Sequence, residues 1–258
     1  MATRNRLAFL IGLVTGFAGI AAWRLYSSRA LDRVQSHEGL DDPAIARGFE
    51  KVATLPPLRV LRWYAIRRAL RLQYAGDAID IGCGSGRLAV ELALRAPCLT
   101  VTGIDLSAEM LEMARESAVR VETTCPGALA NRVEFRLGDA ARIPLDDASV
   151  DLVISTLSLH HWGDPVQVMD EIARVLRPNG SYMVFDLRRD VSFPFWLLLW
   201  LVSHLVVPAA LRRIREPLAS RDASYTLEEV TALADASRLS GWRIEEGPFW
   251  VILEGTMK

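Results

Sequence analysis

The feature that most limits the possible folds is an alternation of short apolar runs with helical patterns, which starts near residue 78 and continues to the end of the chain. The apolar runs predict seven strands, at residues 78–81, 101–105, 133–137, 152–156, 181–186, 242–246 and 249–254. Helical patterns lie between most of them, at residues 86–95, 108–121, 165–176 and 227–237. Strands that alternate with helices indicate a mainly parallel sheet with helices on both faces. Because only Gly247 and Pro248 separate the last two runs, those two strands must pair antiparallel.

Three glycines mark the point where the first predicted strand ends and the first helix begins. Ligands bind at this edge of an open parallel sheet, and glycine allows both positive φ values and the close approach of a ligand. The spacing of Gly82, Gly84 and Gly86 is G-x-G-x-G, whereas the dinucleotide-binding fingerprint is G-x-G-x-x-G. Arg87 stands where that fingerprint has its last glycine. The loop is therefore predicted to bind a ligand in a way that differs from that fingerprint.

A second landmark is Asp105, which ends the second predicted strand. A carboxylate at this position can accept hydrogen bonds from the ribose hydroxyls of a nucleoside, and more than one class of cofactor is bound in this way. Asp105 therefore predicts nucleoside binding and leaves the choice of cofactor open.

Three segments together carry a resemblance to a known family. Asp80 is followed by G-x-G-x-G, a pattern similar to motif I of the class I S-adenosylmethionine-dependent methyltransferases. The segments RLGDAARIPLDDASVDLVISTLSLHHW (136–162) and EIARVLRPNGSYMVFD (171–186) closely resemble the small-molecule branch of that family, which includes methyltransferases of ubiquinone and menaquinone biosynthesis. The resemblance covers about residues 78–187, with a looser likeness at residues 225–233 and in the last strand pair. It implies a Rossmann-like, doubly wound α/β fold whose seven-stranded sheet is mostly parallel with an antiparallel last strand.

The resemblance also implies a cofactor, S-adenosylmethionine, and the residues that would bind it. The glycine loop would wrap the methionine part of the cofactor, with Asp80 near the amino group. Asp105 would contact the ribose, and Asp139 would contact the adenine amino group. The complete set of expected cofactor-binding residues is Asp80, Gly82, Cys83, Gly84, Gly86, Asp105, Leu106, Asp139, Ala140 and Thr156.

Two histidines, His160 and His161, follow the fourth predicted strand, at the lip of the expected pocket. A neutral imidazole is suited to remove a proton from a phenol or an enol near pH 7, so both are candidate catalytic bases. Packing within the loop is the alternative role for both.

No metal site is expected from the sequence. The acidic residues Asp146, Asp147 and Asp151 are interpreted as a solvated turn, which is the usual form of this stretch in the family that the chain resembles. The three cysteines lack the spacing of metal ligands and are odd in number, which also argues against a disulfide framework.

The N-terminal region contains an apolar run at residues 7–23, with arginines on both sides. Its 17 residues are at the short end of the length that a transmembrane helix needs. A membrane anchor, a core or interfacial helix and a cleaved signal peptide all remain open for this run.

The chain is divided into three predicted parts. Residues 1–26 are predicted to be an anchor or apolar helix, residues 27–57 a connector, and residues 58–258 the methyltransferase domain. The arginine-rich helical pattern at residues 58–72 fits a helix that covers the sheet or a basic face against lipid.

A second apolar run without formal charge lies between Asp190 and Arg212. Its length alone would fit a membrane span. However, the strands that follow it must return to the same sheet, which excludes a single crossing. Residues 191–215 are therefore predicted to be an insertion that caps the substrate or lies at a membrane interface. The alternative is a buried helix that packs on the domain or on a partner subunit, so a homodimer is also open.

The net charge is −1, from 30 basic and 31 acidic residues, and gives no bulk electrostatic basis for binding nucleic acid.

The predicted function is methyl transfer from S-adenosylmethionine to a small hydrophobic acceptor: a quinone-like compound, a lipid or another secondary metabolite. The enzyme is expected to associate with membrane lipid and to have its catalytic domain in the cytoplasm. The main alternative is a non-catalytic protein that keeps the fold as a scaffold. A nicotinamide-dependent oxidoreductase would leave the Gly138-Asp139-Ala140 segment unexplained.

Overall fold

The computed structural model describes residues 33–34 and 42–258. Its centre is a seven-stranded sheet with the strand order β3-β2-β1-β4-β5-β7-β6. The strands are β1 (Ala75–Ile81), β2 (Cys98–Asp105), β3 (Val133–Leu137), β4 (Val150–Thr156), β5 (Leu176–Leu187), β6 (Arg243–Glu246) and β7 (Trp250–Thr256). The helices are α1 (Pro43–Ala53), α2 (Pro56–Leu72), α3 (Arg87–Arg95), α4 (Ala108–Thr124), α5 (Pro165–Val175), α6 (Phe193–Leu205), α7 (Ala209–Arg213), α8 (Leu218–Ala223) and α9 (Leu227–Ala236). A 3-10 turn, Leu159–His161, follows β4.

Strands β1 to β5 pair in parallel, while β7 lies between β5 and β6 and is antiparallel to both. This confirms the predicted sheet, including the antiparallel pairing of the last two strands. The strand order changes direction between β1 and β4, so the carboxyl ends of these strands form the crevice where ligands bind in such sheets. The apolar helix predicted at residues 7–23 lies outside the described residues.

Helices cover both faces of the sheet, and the alternation of side chains along β4 shows why. Val153 points into a core cluster built with α5 and α9. Its neighbours Leu152 and Ile154 point into a second cluster, built with α2 and α3. Because successive strand residues face opposite sides, a strand that is apolar throughout must be covered on both sides.

Some elements differ from the sequence prediction at their amino ends. Strand β1 begins at Ala75, because Gly76 and Asp77 already pair with β2. These residues are only partly buried, so the apolar pattern does not reveal them. Helix α1 lies within the predicted connector and was not predicted from the sequence. Asp42 caps this helix by accepting a hydrogen bond from the Ala44 amide.

The predicted insertion at residues 191–215 forms two helices, α6 and α7, with Pro208 immediately before the second one. Within residues 33–34 and 42–258, no helix is both long and apolar enough to cross a membrane. The transmembrane prediction therefore finds no support in the described residues, and the segment on which it rests, residues 7–23, lies outside them.

An ion pair fixes helix α2 on the sheet. The Glu254 carboxylate on β7 is only 1% exposed and accepts hydrogen bonds from Arg68 Nε at 2.6 Å and from Arg243 Nε at 2.8 Å. Burial alone would raise the pKa of the Glu254 carboxyl, but the two guanidinium groups hold it below its ordinary value. The charge is thus kept in the protein interior by its two arginine partners.

Removal of one of these partners is expected to destabilise the fold. Arg68→Leu leaves a buried carboxylate with only Arg243, which should lower the free energy of unfolding by about 2–4 kcal/mol near pH 7. Because the folded-state pKa of Glu254 is lowered, the pair stabilises above the ordinary pKa of Glu and loses its effect as the pH falls. The deficit of the variant should therefore shrink at acid pH. Urea denaturation at several pH values measures this, with Arg67→Leu on the exposed side of the same helix as the control.

Candidate functional site

The glycine loop is held on the end of β2 by its backbone. The amides of Gly82 and Cys83 donate to the Ile104 carbonyl oxygen at 2.8 and 3.1 Å. The φ angles of the glycines at 82, 84 and 86 are 68°, 52° and 70°, which is the left-handed region that favours glycine. The loop thus turns sharply between β1 and α3, as the sequence predicts.

Two of these glycines have different surroundings. A Cβ atom at Gly86 would lie 2.6 Å from the Phe135 ring and 2.7 Å from the Cβ atom of Ala114, so this glycine allows β3 and α4 to pack against the loop. Among the described residues, apart from the two chain neighbours of Gly84, no atom would lie within 4 Å of a Cβ atom at this position. In the described part of the chain, Gly84 therefore leaves room for a ligand to approach the backbone of the loop.

Asp105 is oriented by the same loop. It is 9% exposed, and its carboxylate accepts hydrogen bonds from the Gly84 amide at 2.8 Å and the Ser107 amide at 2.9 Å. A carboxylate accepts up to about four hydrogen bonds, which is the property that the binding of ribose hydroxyls requires. The amides thus set the orientation of the group that the sequence analysis assigns to the ribose.

Asp80 is a buried carboxylate below the glycine loop. It is 1% exposed, and its Oδ2 atom has no hydrogen-bond partner among the described residues. Burial, and then the charge of Asp105, raise the pKa of Asp80 to about 8, although the Ala89 backbone amide opposes this. A cation at Oδ2 would compensate the buried charge. The amino group of S-adenosylmethionine is such a cation, so Asp80, Gly84 and Asp105 fit this cofactor.

Three more of the predicted cofactor-binding residues, Leu106, Asp139 and Ala140, lie at the same edge of the sheet as Asp105. Leu106 is 71% exposed and offers an apolar surface beside the carboxylate. The Gly138 amide donates to the Asp105 carbonyl oxygen at 3.0 Å, which brings Asp139 and Ala140 to the same edge of the sheet. Asp139 is exposed, and its Oδ1 atom accepts a hydrogen bond from the Ala141 amide at 2.9 Å.

Two further predicted residues have different environments. Thr156 ends β4 and is half-buried, at the carboxyl edge of the sheet. Cys83 is buried in the loop, and burial together with the charges of Asp80 and Asp105 raises the pKa of its thiol well above the ordinary value. The Cys83 thiol therefore stays protonated at neutral pH, and its surroundings give no support to a nucleophilic role.

The acidic residues interpreted as a solvated turn differ in the structure: Asp147 precedes β4, whereas Asp151 lies within the strand, and both form ion pairs. Arg174 binds Asp147 at 2.7 Å, and Arg177 binds Asp151 at 2.5 Å and Asp77 at 3.0 Å. No group of three or more metal-ligating side chains occurs in the part of the chain that the structure describes.

The two candidate histidines lie in the turn after β4 and have different environments. His160 is 2% exposed, and its Nδ1 atom is 2.8 Å from Oδ1 of Asp186, at the end of β5. The same carboxylate accepts a hydrogen bond from the His160 amide at 2.8 Å. Because a carboxylate only accepts, Nδ1 of His160 carries the proton. His161 is half-buried, with its ring centroid 3.9 Å from that of His160.

Two residues of this region, Asp186 and Glu50, were not predicted from the sequence. The position of Asp186 at the end of a predicted strand was the available signal, but its pairing with His160 depends on the adjacency of β4 and β5. Glu50 on α1 forms an ion pair with Arg87, the first residue of α3. Burial opposes the charge of the Glu50 carboxyl, but hydrogen bonds from Arg87 and Ser85 lower its pKa. Helix α1 is thereby tied to the glycine loop.

Comparisons with known proteins agree with this geometry. A family model described as "Methyltransferase domain" matches residues 79–184. The chain is 32% identical over 219 residues to a demethylmenaquinone methyltransferase of Lactiplantibacillus plantarum, which covers 82% of this chain and 83% of that protein. A demethylmenaquinone methyltransferase of Deinococcus radiodurans is 31% identical over 164 residues, and the match spans 63% of each protein, just under two thirds of its length.

Solved structures show the same fold. A putative S-adenosylmethionine-dependent methyltransferase from Methanococcus maripaludis superposes with a TM-score of 0.63 at 21% identity, over 87% of this chain and 98% of that one. The chain belongs to the class I S-adenosylmethionine-dependent methyltransferase family. The family and the cofactor class predicted from the sequence are thereby confirmed.

The unusual state of Asp80 leads to a prediction about pH. Between the unfolded-state value near 3.8 and the folded-state value of about 8, the folded protein keeps a proton that the unfolded chain releases, so the stability of the ligand-free protein should fall as the pH rises. Asp80→Asn should remove this pH dependence and stabilise the ligand-free protein at pH 8, but weaken the binding of S-adenosylhomocysteine. Urea denaturation and calorimetry measure the two effects.

Asp139→Asn is the matched control for stability, because it changes an exposed carboxylate at the same edge of the sheet. It should leave the pH dependence of stability as in the unmodified protein. An Asp80→Asn variant with the original pH dependence would contradict the assignment of a buried, protonated Asp80.

Proposed function

We propose that the protein transfers the methyl group of S-adenosylmethionine to a small hydrophobic acceptor, with a quinone-like compound as the first candidate. The observation that carries the proposal is the arrangement of Asp80, Gly84 and Asp105 at the carboxyl ends of β1 and β2. It combines a buried carboxylate for a cation, a backbone that leaves room for a ligand and an oriented acceptor for hydroxyls. The similarity to proteins named demethylmenaquinone methyltransferase supports the acceptor class.

The chain's own residues would bind and orient both reactants. When bound, the cofactor supplies an electrophilic methyl group on a sulfonium. Asp80 would hold the amino group, Asp105 the ribose, and Asp139 with the Ala140 backbone the adenine. Alignment of the acceptor with the methyl group contributes much of the acceleration in such a reaction. The reaction forms one bond from the acceptor to the methyl carbon and breaks the bond from that carbon to sulfur.

A proton must leave an acceptor that carries a hydroxyl or an acidic carbon, and we propose His161 as its receiver. His161 is the half-buried member of the histidine pair, whereas His160 is buried. Asp186 holds both the ring and the amide of His160, so it fixes the turn that carries His161. In this proposal His161 is a catalytic residue, and His160 and Asp186 are positioning residues.

His161→Gln should lower kcat by about 100-fold or more without a change in the affinity for S-adenosylhomocysteine, because general base catalysis typically contributes that much. It should also remove the acid limb of the pH profile of kcat. Asp186→Asn should lower kcat less, with the acid limb retained. A His161→Gln variant with unchanged kcat and pH profile would show that alignment alone is sufficient.

The proposed function itself is tested by calorimetry and by product formation. The protein should bind S-adenosylhomocysteine with a dissociation constant on the order of micromolar. Asp105→Ala should abolish binding, while Asp105→Asn, which keeps one acceptor for the loop amides, should bind weakly and separate folding from ligand contact. Incubation of labelled S-adenosylmethionine with demethylated naphthoquinols, and with a lipid extract of the source organism, should yield a labelled apolar product.

Absence of S-adenosylhomocysteine binding in a folded protein would contradict the proposal. Binding without a methylated product from any apolar acceptor would favour the non-catalytic scaffold.

We further propose that the protein works at a membrane, with its catalytic domain on the cytoplasmic side, since a quinone-like or lipid acceptor resides there.

A further inference from the structure

The outer face of α6 is an exposed apolar surface. Pro194, Leu198, Leu201 and Leu205 follow one another at spacings of four, three and four residues, so they form one line along the helix. We call these four residues the α6 stripe. Leu198, Leu201 and Leu205 are 51%, 40% and 77% exposed, and Val206 just beyond the helix is 58% exposed. A contiguous exposed apolar surface of this kind marks an interaction site.

The opposite face of α6 is firmly packed, so the exposure of the stripe does not come from a loosely attached helix. Trp196 is 2% exposed and belongs to a cluster with Val191 and Leu218. The Phe195 ring stacks on that of Phe249, with the centroids 4.6 Å apart and the planes within 3°. Phe249 directly precedes β7. The helix is therefore attached to the sheet by one face and presents its apolar stripe on the other.

The exposed charges that follow the stripe in the sequence, up to Pro217, are basic, while Asp190, which precedes the helix, is exposed and paired with Arg188 at 2.7 Å. Helix α6 contains no Asp, Glu, Lys or Arg, and the next charged residues, Arg212 and Arg213, are exposed. The only acidic residue between Ser192 and Pro217 is Glu216, which is 4% exposed. An apolar helical face bordered by exposed arginines complements a bilayer with anionic headgroups. At 13 residues the helix is about 20 Å long, which suits a position in the plane of the interface.

The start of the described chain is close to the same part of the molecule. Arg33 donates hydrogen bonds to the carbonyl oxygens of Ala223, at 2.7 Å, and His160, at 3.1 Å, and Ala223 ends the helix that follows the insertion. The apolar run at residues 7–23 ends ten residues before Arg33, a distance of at most about 35 Å along an extended chain. A bilayer that receives this run is therefore within reach of the face that carries the stripe.

We propose that the α6 stripe, with Arg212 and Arg213, docks on an anionic lipid bilayer and thereby places the site beside the phase in which an apolar acceptor dissolves. The inference rests on the proposed function for the choice of acceptor. The docking itself is tested independently of methyl transfer.

The test uses the full chain with Cys98→Ser and Cys125→Ser, which removes the exposed thiols, and a polarity-sensitive fluorophore attached through Leu205→Cys. The matched control carries the label through Val119→Cys, which is 64% exposed on α4. With phosphatidylglycerol vesicles that contain nitroxide-labelled acyl chains, the label at position 205 should be quenched several-fold more than the label at position 119. Arg212→Gln with Arg213→Gln should reduce the quenching at position 205, as should phosphatidylcholine vesicles.

Three results would overturn the proposal. In the first, phosphatidylglycerol vesicles are present and the label at position 205 remains as exposed to solvent as the label at position 119. Another is shielding of position 205 without vesicles, which means that another segment of the chain or a second copy covers the stripe. The third is equal quenching at both positions, which means docking by another surface. Calorimetry with S-adenosylhomocysteine on the same samples separates failure of docking from failure of the proposed function.

Discussion

The Asp105 carboxylate and the Gly84 amide form the hydrogen bond on which the candidate site depends. It joins the end of β2 to the loop after β1, while a second amide bond, from Ser107, fixes the other carboxylate oxygen. This carboxylate and the Ile104 carbonyl oxygen accept the hydrogen bonds of three amides in the glycine loop, those of Gly82, Cys83 and Gly84. One side chain therefore shapes the loop and presents the acceptor for a nucleoside, so removal of the whole carboxylate would affect both the loop and cofactor binding.

Asp80 adds an electrostatic cost to the same arrangement. Two carboxylates near each other below the loop disfavour a second negative charge, and burial of Asp80 adds to this. A ligand cation would reverse the balance, because it would pair with the buried Oδ2 atom. Below about pH 8 the ligand-free protein keeps Asp80 protonated, so the binding of such a ligand would release this proton and form the ion pair. A polar but uncharged group at this position would make the ligand-free loop more stable and the site less selective.

The sequence was sufficient to predict the sheet, the antiparallel last strand and the position of the glycine loop, since these follow from local periodicity and spacing. Strand β3 has the predicted bounds. The contacts that depend on distant segments could not be predicted. Asp186 and His160 are both visible in the sequence, but only the pairing of β4 with β5 brings them within 2.8 Å. Helix α1 was missed although Asp42 at its N-cap and Pro43 at its first position are local signals of a helix start. Its contacts with Arg87 and Leu211, which lie far away in the chain, could not be predicted.

Arg87 shows how a departure from a motif acquires a structural role. In a dinucleotide-binding loop this position is a glycine, which permits close packing of helix and strand. Here the Arg87 guanidinium extends from the first turn of α3 to Glu50 of α1, and Gly48 of the same helix packs against Leu211 of α7. Helix α1 therefore contacts both the cofactor loop and the insertion that carries the α6 stripe. Because the matched methyltransferase domain begins only at residue 79, this link between the two regions comes from a part of the chain outside that domain.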